Sequence, residues 1–235
     1  MFLMNTVDEL KKSAAEHAVE LIESGMVIGL GTGSTAYYAT VKIGALIRTG
    51  NLKNIKAIAS SKASEELARS LDIPLTDFKN NPCINVTIDG ADEVDNDLNL
   101  IKGGGGALLR EKVLAQASEK FYAVVDGSKL SAKLGEKWKV PVEVIPFALD
   151  SELFFLNNYS ENISVRKNNN GEAFITDEGN YIIDVDFGPL DDVYSTSAML
   201  NERAGIVEHG LFIDIADKVF AAKENEVLIL DKLKK

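Results

Sequence analysis

Asp89 and Asp92 stand three residues apart in Ile88-Asp89-Gly90-Ala91-Asp92-Glu93-Val94-Asp95, and Lys102-Gly103-Gly104-Gly105-Gly106 and Glu111 follow closely. Two carboxylates, a lysine, a glycine-rich turn and a third carboxylate suit proton transfer on a small anionic substrate. A strand end gains nothing for folding from burying Asp89 and Asp92. Four consecutive glycines carry a conformational-entropy cost, and close backbone approach to a ligand is one way to offset it. Backbone N–H groups in such a loop, with the Lys102 ammonium, stabilise a developing oxyanion. Helical spacing puts Glu111 on a face with Ala107, Leu108, Leu114 and Ala115, where desolvation favours a neutral carboxyl and moves it toward the range of a general base. The plainer readings are a turn rich in Asp and Gly for Asp89 and Asp92, and a surface glutamate between Arg110 and Lys112 for Glu111. Asp95 and Asp97 read as solvated loop residues.

A second glycine-rich stretch, Gly29-Leu30-Gly31-Thr32-Gly33-Ser34-Thr35-Ala36, links an apolar strand to a helix. Helix N-termini bind anions through free N–H groups and the helix dipole, and the Ser34 and Thr35 hydroxyls add donors. Gly31-x-Gly33-x-x-Ala36 also fits a loose dinucleotide fingerprint, but the expected acid at the end of the second strand is missing; that strand ends in Ser60-Ser61-Lys62. No Gly-Lys-Ser/Thr triplet is present, so a nucleotide P-loop fails too, and a monophosphate is favoured. A tight turn with a cap is the alternative. Ser60, Ser61 and Ser64 either help hold substrate hydroxyls or phosphate, or serve through Ser61 as a simple helix cap. Lys129, after another strand, either meets the anion or is solvated.

These residues need a scaffold that brings strand ends to one edge. Leu10, Ala14, Ala18 and Leu21 mark a helix over residues 6–24, with Thr6 and Glu9 as a capping box. Strands over 26–31, 55–60, 82–88 and 121–125 alternate with helices over 36–49, 63–71 and 107–117. That alternation predicts a mostly parallel sheet covered on both faces. After a connection at 136–141 the pattern changes to strands over 142–145, 163–166, 173–176, 181–185 and 205–207, with helices over 148–157 and 193–203. This predicts a small α+β lobe. Strands over 211–215, 219–222 and 227–230 are expected to rejoin the first sheet. The expected fold class is α/β: a Rossmann-like, mostly parallel domain from residues 1–135 plus 208–235, and an inserted α+β lobe from residues 136–207.

Composition narrows the function classes. The 235 residues include 46% apolar ones, enough for a large core, and carry a net charge of -11. So acidic a chain is a poor partner for nucleic acid or for an anionic membrane surface. Apolar runs fall well short of the roughly 18–20 residues that span a bilayer. The segment Met1-Phe2-Leu3-Met4-Asn5-Thr6 reads as no signal peptide. A single cysteine, Cys83, excludes an intrachain disulfide, reads as a small inert residue beside a strand, and fits a reducing, cytoplasmic setting. His17 and His209 make no metal-ligand spacing with it, and each reads as a surface or half-buried residue.

Taken together, the motifs resemble those of the A-type ribose-5-phosphate isomerases. The carrying stretches are Gly29 to Ala36, Asp89-Gly90-Ala91-Asp92-Glu93, Ile101 to Ala107 with Glu111-Lys112, Asp126 to Lys129, Pro141 to Pro146 and Thr176 to Asp184, in order over nearly the whole chain. The resemblance implies interconversion of ribose 5-phosphate and ribulose 5-phosphate in the pentose phosphate pathway, by an enediol mechanism without cofactor or metal. It makes Glu111 the base that carries the proton between C1 and C2. It gives Asp89 and Asp92 ring opening and hydroxyl proton transfer, and Lys102 the enediolate. Thr32, Gly33, Ser34 and Thr35 fall on the phosphate and substrate loop, Gly90 and Ala91 lie between the two aspartates, Gly103, Gly104 and Gly105 form the second glycine loop, and Lys129 is a further substrate-binding lysine. The resemblance also implies a homodimer or homotetramer and a ferredoxin-like inserted lobe. A phosphosugar sensor would keep the phosphate loop but not need Glu111 and Lys102. A nicotinamide-dependent oxidoreductase lacks its acid, and a sugar-phosphate deaminase fits the acid and lysine spacing less well.

Overall fold

The computed structural model describes residues 6–224 and 226–232. Met1 to Asn5, part of the stretch read for a leader, lie outside the described residues. The chain runs α1 (Val7–Val19), β1 (Val27–Leu30), α2 (Ser34–Arg48), β2 (Lys56–Ala59), α3 (Lys62–Ser70) and β3 (Val86–Gly90). Next come β4 (Glu93–Val94), β5 (Leu100–Ile101), α4 (Leu108–Gln116), β6 (Phe121–Asp126), β7 (Val140–Val144), α5 (Leu149–Leu156) and β8 (Ile163–Val165). The remainder is β9 (Tyr181–Val185), α6 (Val193–Asn201), β10 (Ile206–His209), β11 (Leu211–Phe212), β12 (Lys218–Lys223) and β13 (Glu226–Asp231). Two compact units result. The first takes Met1–Ala91, Arg110–Lys129 and Ile215–Lys235, and the second takes Asp92–Leu109 and Leu130–Asp214.

In the first unit six strands form one sheet in the order β13-β12-β6-β3-β1-β2. Its pairs are parallel except β12 with β13. The interior strand β6 is buried at every position, as expected of a strand covered on both faces. Helix α1 contributes Ala14, Ala15, Ala18 and Val19 to the core, small residues that allow close approach. Its capping box forms as predicted: Glu9 N–H donates to Thr6 Oγ1 at 3.2 Å and Thr6 N–H to Glu9 Oε2 at 2.6 Å. Strand β1 lies between β2 and β3, so consecutive connections depart in opposite directions. That places a topological switch point at the carboxyl ends of β1 and β3, where ligands bind in such sheets. The Gly31 loop leaves β1 there, and Asp89 sits at the end of β3.

In the second unit the run β7-α5-β8-β9-α6-β10 builds an antiparallel sheet ordered β10-β7-β9-β8. This is the ferredoxin-like topology expected of the lobe. Val140, Val142, Val144, Ile183, Val185, Leu156 and Leu200 pack its core. A three-stranded sheet, β11-β5-β4, completes the unit.

Several expectations need correction. Residues 173–176 make an isolated bridge, Lys167 to Ala173, because the chain turns at once through Thr176 to Asn180. β12 and β13 rejoin the first sheet, but β11 pairs with β5 instead. Asp95 is buried: its carboxylate accepts from the N–H groups of Asp97 and Asn99 and from the Asn99 amide, and burial raises its pKa against those bonds. Cys83 is exposed, ahead of β3, and His209 is buried at the end of β10.

Glu143, on β7, is a buried carboxyl. Its Oε1 accepts from Asn180 Nδ2 at 2.9 Å and Thr176 Oγ1 at 2.8 Å, while Oε2 is buried with no hydrogen bond among the described residues. Burial raises its pKa. The bonds from Asn180 and Thr176 oppose the rise, and Glu178 and Glu208 add to it. A pKa raised on folding means the folded chain holds the proton more tightly than the unfolded chain. The stability this confers is complete below the unfolded value near 4.5 and is lost as pH rises through the folded one. Glu143→Gln is therefore expected to melt near the wild-type temperature at about pH 4 and above it at about pH 8. Thermal melts across that range check this; a difference that does not widen with pH contradicts it.

Candidate active site

Within the first unit, β1 ends at Leu30 and Gly31 N–H donates to the Ile88 carbonyl at 3.0 Å, prolonging the pairing with β3. The chain then passes over Asp89. Thr32 N–H donates to Asp89 Oδ1 at 3.0 Å and Gly90 N–H to the same oxygen at 2.7 Å. Asp89 is 0% exposed, and such charge-assisted bonds are what a buried carboxylate requires. Gly31 has no alternative here: a Cβ would lie 2.1 Å from Asp89 Oδ1 and 2.6 Å from its Cα. Gly33 has φ +99° and leads into α2 without a side-chain cap. Ser34 and Thr35 thus occupy the first turn of a 15-residue helix, with N–H groups that the helix itself does not use.

The three serines after β2 face this loop. The Thr32 hydroxyl lies 2.7 Å from Ser60 Oγ, 2.8 Å from Ser61 Oγ and 3.0 Å from Ser64 Oγ, and Ser64 Oγ donates to the Gly31 carbonyl at 2.7 Å. Ser61 also caps α3 by accepting from Ser64 N–H at 3.0 Å. The capping reading therefore holds, and these hydroxyls brace the loop. Glu111, in the first turn of α4, is 4% exposed, which removes the surface reading. Lys129 is half-buried in a short 3-10 turn after β6, whose preceding residue Ser128 donates its N–H to Asp126.

Within the second unit a parallel arrangement recurs. Asp92 N–H bonds the Ile101 carbonyl at 2.8 Å, and Asp92 Oδ2 accepts from Gly104 N–H at 2.7 Å. A Cβ on Gly104 would lie 2.6 Å from Asp92 Oδ1. Gly106 N–H closes the turn on the Gly103 carbonyl at 2.9 Å, and both Gly103 and Gly106 have positive φ. Lys102 is 2% exposed, with Nζ 5.5 Å from the centre of the Phe212 ring. Its N–H bonds the Gly210 carbonyl at 2.9 Å. Arg166 donates to the Gly103 and Gly104 carbonyls of this glycine loop and pairs with Asp184. Opposite charges on two strands were a signal, but the register that joins them is not visible in the sequence. Among the described residues no group of three or more His, Cys, Asp or Glu is placed to hold a metal ion, and no helix is long and apolar enough to cross a membrane.

The structure thus joins Thr32 to Asp89 in one unit and Gly104 to Asp92 in the other. The family model for ribose 5-phosphate isomerase A (phosphoriboisomerase A) matches residues 56–226. This chain belongs to the ribose 5-phosphate isomerase A family. A family relative from Desulfatibacillum aliphaticivorans, named ribose-5-phosphate isomerase A, is 56% identical over 219 residues, 93% of this chain and 95% of its own. A probable ribose-5-phosphate isomerase 2 from Arabidopsis thaliana is 47% identical over 97% of this chain and 88% of its own. Among solved structures, a D-ribose-5-phosphate isomerase in complex with phospho-erythronic acid superposes with a TM-score of 0.94 at 39% identity, covering 97% of this chain and all, 100%, of that one. The ribose 5-phosphate isomerase A of Methanocaldococcus jannaschii does so with a TM-score of 0.91 at 38% identity, with the same coverage. The α/β fold expected from the sequence is therefore the fold of the ribose 5-phosphate isomerase A family.

The close approach at Gly31 generates a stability prediction. In this member of the ribose 5-phosphate isomerase A family, Gly31→Ala sets a methyl against backbone that cannot rotate away, and overpacking of this kind costs about 1–3 kcal/mol or more. Urea denaturation should show a lower midpoint with an unchanged slope; an unchanged midpoint contradicts the contact.

Proposed function

We propose that Glu111, Asp89, Asp92 and Lys102 together carry the isomerisation of ribose 5-phosphate to ribulose 5-phosphate in this chain. Family membership supplies the reaction, a step of the pentose phosphate pathway. The single observation that carries the assignment of the base is the burial of Glu111, whose carboxyl is withdrawn from water in the first turn of α4. In the acyclic sugar, Glu111 takes the proton from C2, leaving a cis-enediolate, and returns it to C1 as the C2 oxygen becomes the ketone. Lys102 offsets the negative charge on the enediolate oxygens, and N–H groups of Gly103 to Gly105 assist it. Asp89 and Asp92 move hydroxyl protons during ring opening and between O1 and O2. Each already holds one oxygen on a backbone N–H, which fixes its direction.

The phosphate belongs at the first turn of α2, among Thr32, Gly33, Ser34 and Thr35, with Gly90 and Ala91 beside the sugar and Lys129 as a further cation. The substrate is accordingly a small sugar phosphate. That a structural relative was solved in complex with phospho-erythronic acid supports this reading. The mechanism asks for neither metal nor cofactor. We also infer a homodimer or homotetramer: Phe147, in the turn that leads into α5, is 97% exposed and Phe154, within α5, is 77% exposed, apolar surface that a second copy would cover. A lone exposed thiol suits a reducing compartment such as the cytoplasm.

Glu111→Gln is expected to lower kcat by roughly 10²–10⁴ and to leave KM within about tenfold, because the phosphate contacts survive. A variant that keeps half the wild-type kcat rules out Glu111 as the base. Lys102→Ala is expected to lower kcat by about 10²–10³ through lost oxyanion stabilisation. Steady-state rates with ribose 5-phosphate in EDTA measure both, and an unchanged kcat removes Lys102 from that role.

A further inference from the structure

The guanidinium of Arg166 lies within the second unit, with its side chain 14% exposed, and its planar fork is divided between two tasks. Nε donates to Asp184 Oδ2 at 2.9 Å and Nη2 to Asp184 Oδ1, a bidentate pair. Nη1 points the other way, donating to the Gly103 carbonyl at 2.6 Å and the Gly104 carbonyl at 3.1 Å. The Gly103 carbonyl and the Gly104 N–H belong to the same peptide group. That N–H is the one that meets Asp92 Oδ2 at 2.7 Å. A cation on the carbonyl side of a peptide polarises its N–H toward an acceptor. One peptide therefore connects Arg166 to Asp92.

The backbone around Arg166 reinforces the same loop. Arg166 N–H bonds the Ile182 carbonyl and the Arg166 carbonyl accepts from Phe174 N–H, both at 2.8 Å. The Phe174 ring closes on Gly106, where a Cβ would lie 2.4 Å from it. The loop is thus gripped by the guanidinium at Gly103 and Gly104 and by an aromatic ring at Gly106.

We propose that Arg166, braced by Asp184, is a positioning residue for the isomerisation, holding the Gly103–Gly104 peptide so that its N–H fixes the Asp92 carboxylate. The proposal rests on the role given to Asp92 above. Lysine cannot replace the arginine, because a single ammonium cannot hold a bidentate carboxylate and two carbonyls at once. Misplacement of a catalytic group by about 1 Å costs on the order of 10²-fold in rate.

The test uses the 235-residue enzyme and four variants: Arg166→Lys, Asp184→Asn, Asp92→Asn and the double Arg166→Lys/Asp92→Asn. Melting temperatures are measured beside kcat and KM for ribose 5-phosphate. The expected result is a kcat lowered about 10–10²-fold in Arg166→Lys, and less in Asp184→Asn, with KM within about threefold. On the Asp92→Asn background Arg166→Lys should change kcat by less than about twofold, since residues acting through one another are not additive. A wild-type kcat in Arg166→Lys, with or without a lower melting temperature, overturns the proposal and leaves Arg166 a purely structural brace. Additive losses overturn it too, because Arg166 would then act through another group. If Asp92→Asn keeps the wild-type kcat, the role of Asp92 fails and this inference fails with it. If Asp92→Asn is impaired and the Arg166 variants are not, the inference alone fails.

Discussion

Each glycine-rich loop of this chain closes on a carboxylate through a backbone N–H, and each leaves out a side chain at the point of contact. Gly31 lies over Asp89 with no room for a Cβ, and Thr32 N–H reaches the carboxylate. Gly104 lies over Asp92 in the same relation, with its own N–H as donor. A carboxylate held this way cannot swing, and hydrogen bonds to a charged acceptor are stronger than neutral ones. The fold around each loop serves that contact. β3 and β1 run side by side so that Gly31 leaves β1 beside Asp89, and β4 with β5 brings Asp92 back to the strand that precedes the glycines.

Proton transfer between adjacent carbons of a sugar depends on placement more than on exotic chemistry. The base must sit against C1 and C2, the hydroxyl protons need carboxylates fixed in direction, and the enediolate needs a cation and N–H donors that do not reorganise. Of the residues proposed for these parts, the Gly31 loop, Asp89 and Glu111 belong to the first unit, and Asp92, Lys102 and the second glycine loop to the second. In each, supporting groups hold the loop from behind. Three serine hydroxyls gather on Thr32 in the first, and the Arg166 fork takes the Gly103 and Gly104 carbonyls in the second.

Much of this was legible in the residues. Apolar runs alternating with helical periods predicted the parallel sheet, and the missing acid after β2 steered the first glycine loop away from a dinucleotide. Asp89 and Asp92 stood out as carboxylates that gain nothing from a buried strand end, and Glu111 as a carboxyl on a partly apolar helix face; Asp89 and Glu111 are indeed buried. Less legible were features set by long-range pairing. β4 and β5 are two residues each, too short to show a period of two. β11 took β5 as its partner, a choice made by packing and not by propensity. Asp95 looked solvated in an acidic run, yet its carboxylate folds back on the Asn99 backbone. The contact of Arg166 with the second glycine loop was not legible, because the glycine carbonyls lie far from it in sequence.

The central claim, that Glu111 carries the proton between C2 and C1, is tested most directly by following the substrate hydrogen itself. Ribose 5-phosphate deuterated at C2 is incubated in ordinary water with wild type and with Glu111→Gln. Wild type is expected to carry label to C1 or release it to solvent as product forms, while the variant leaves C2 deuterated although it still binds the substrate. Loss of C2 deuterium at the wild-type rate in Glu111→Gln would contradict it.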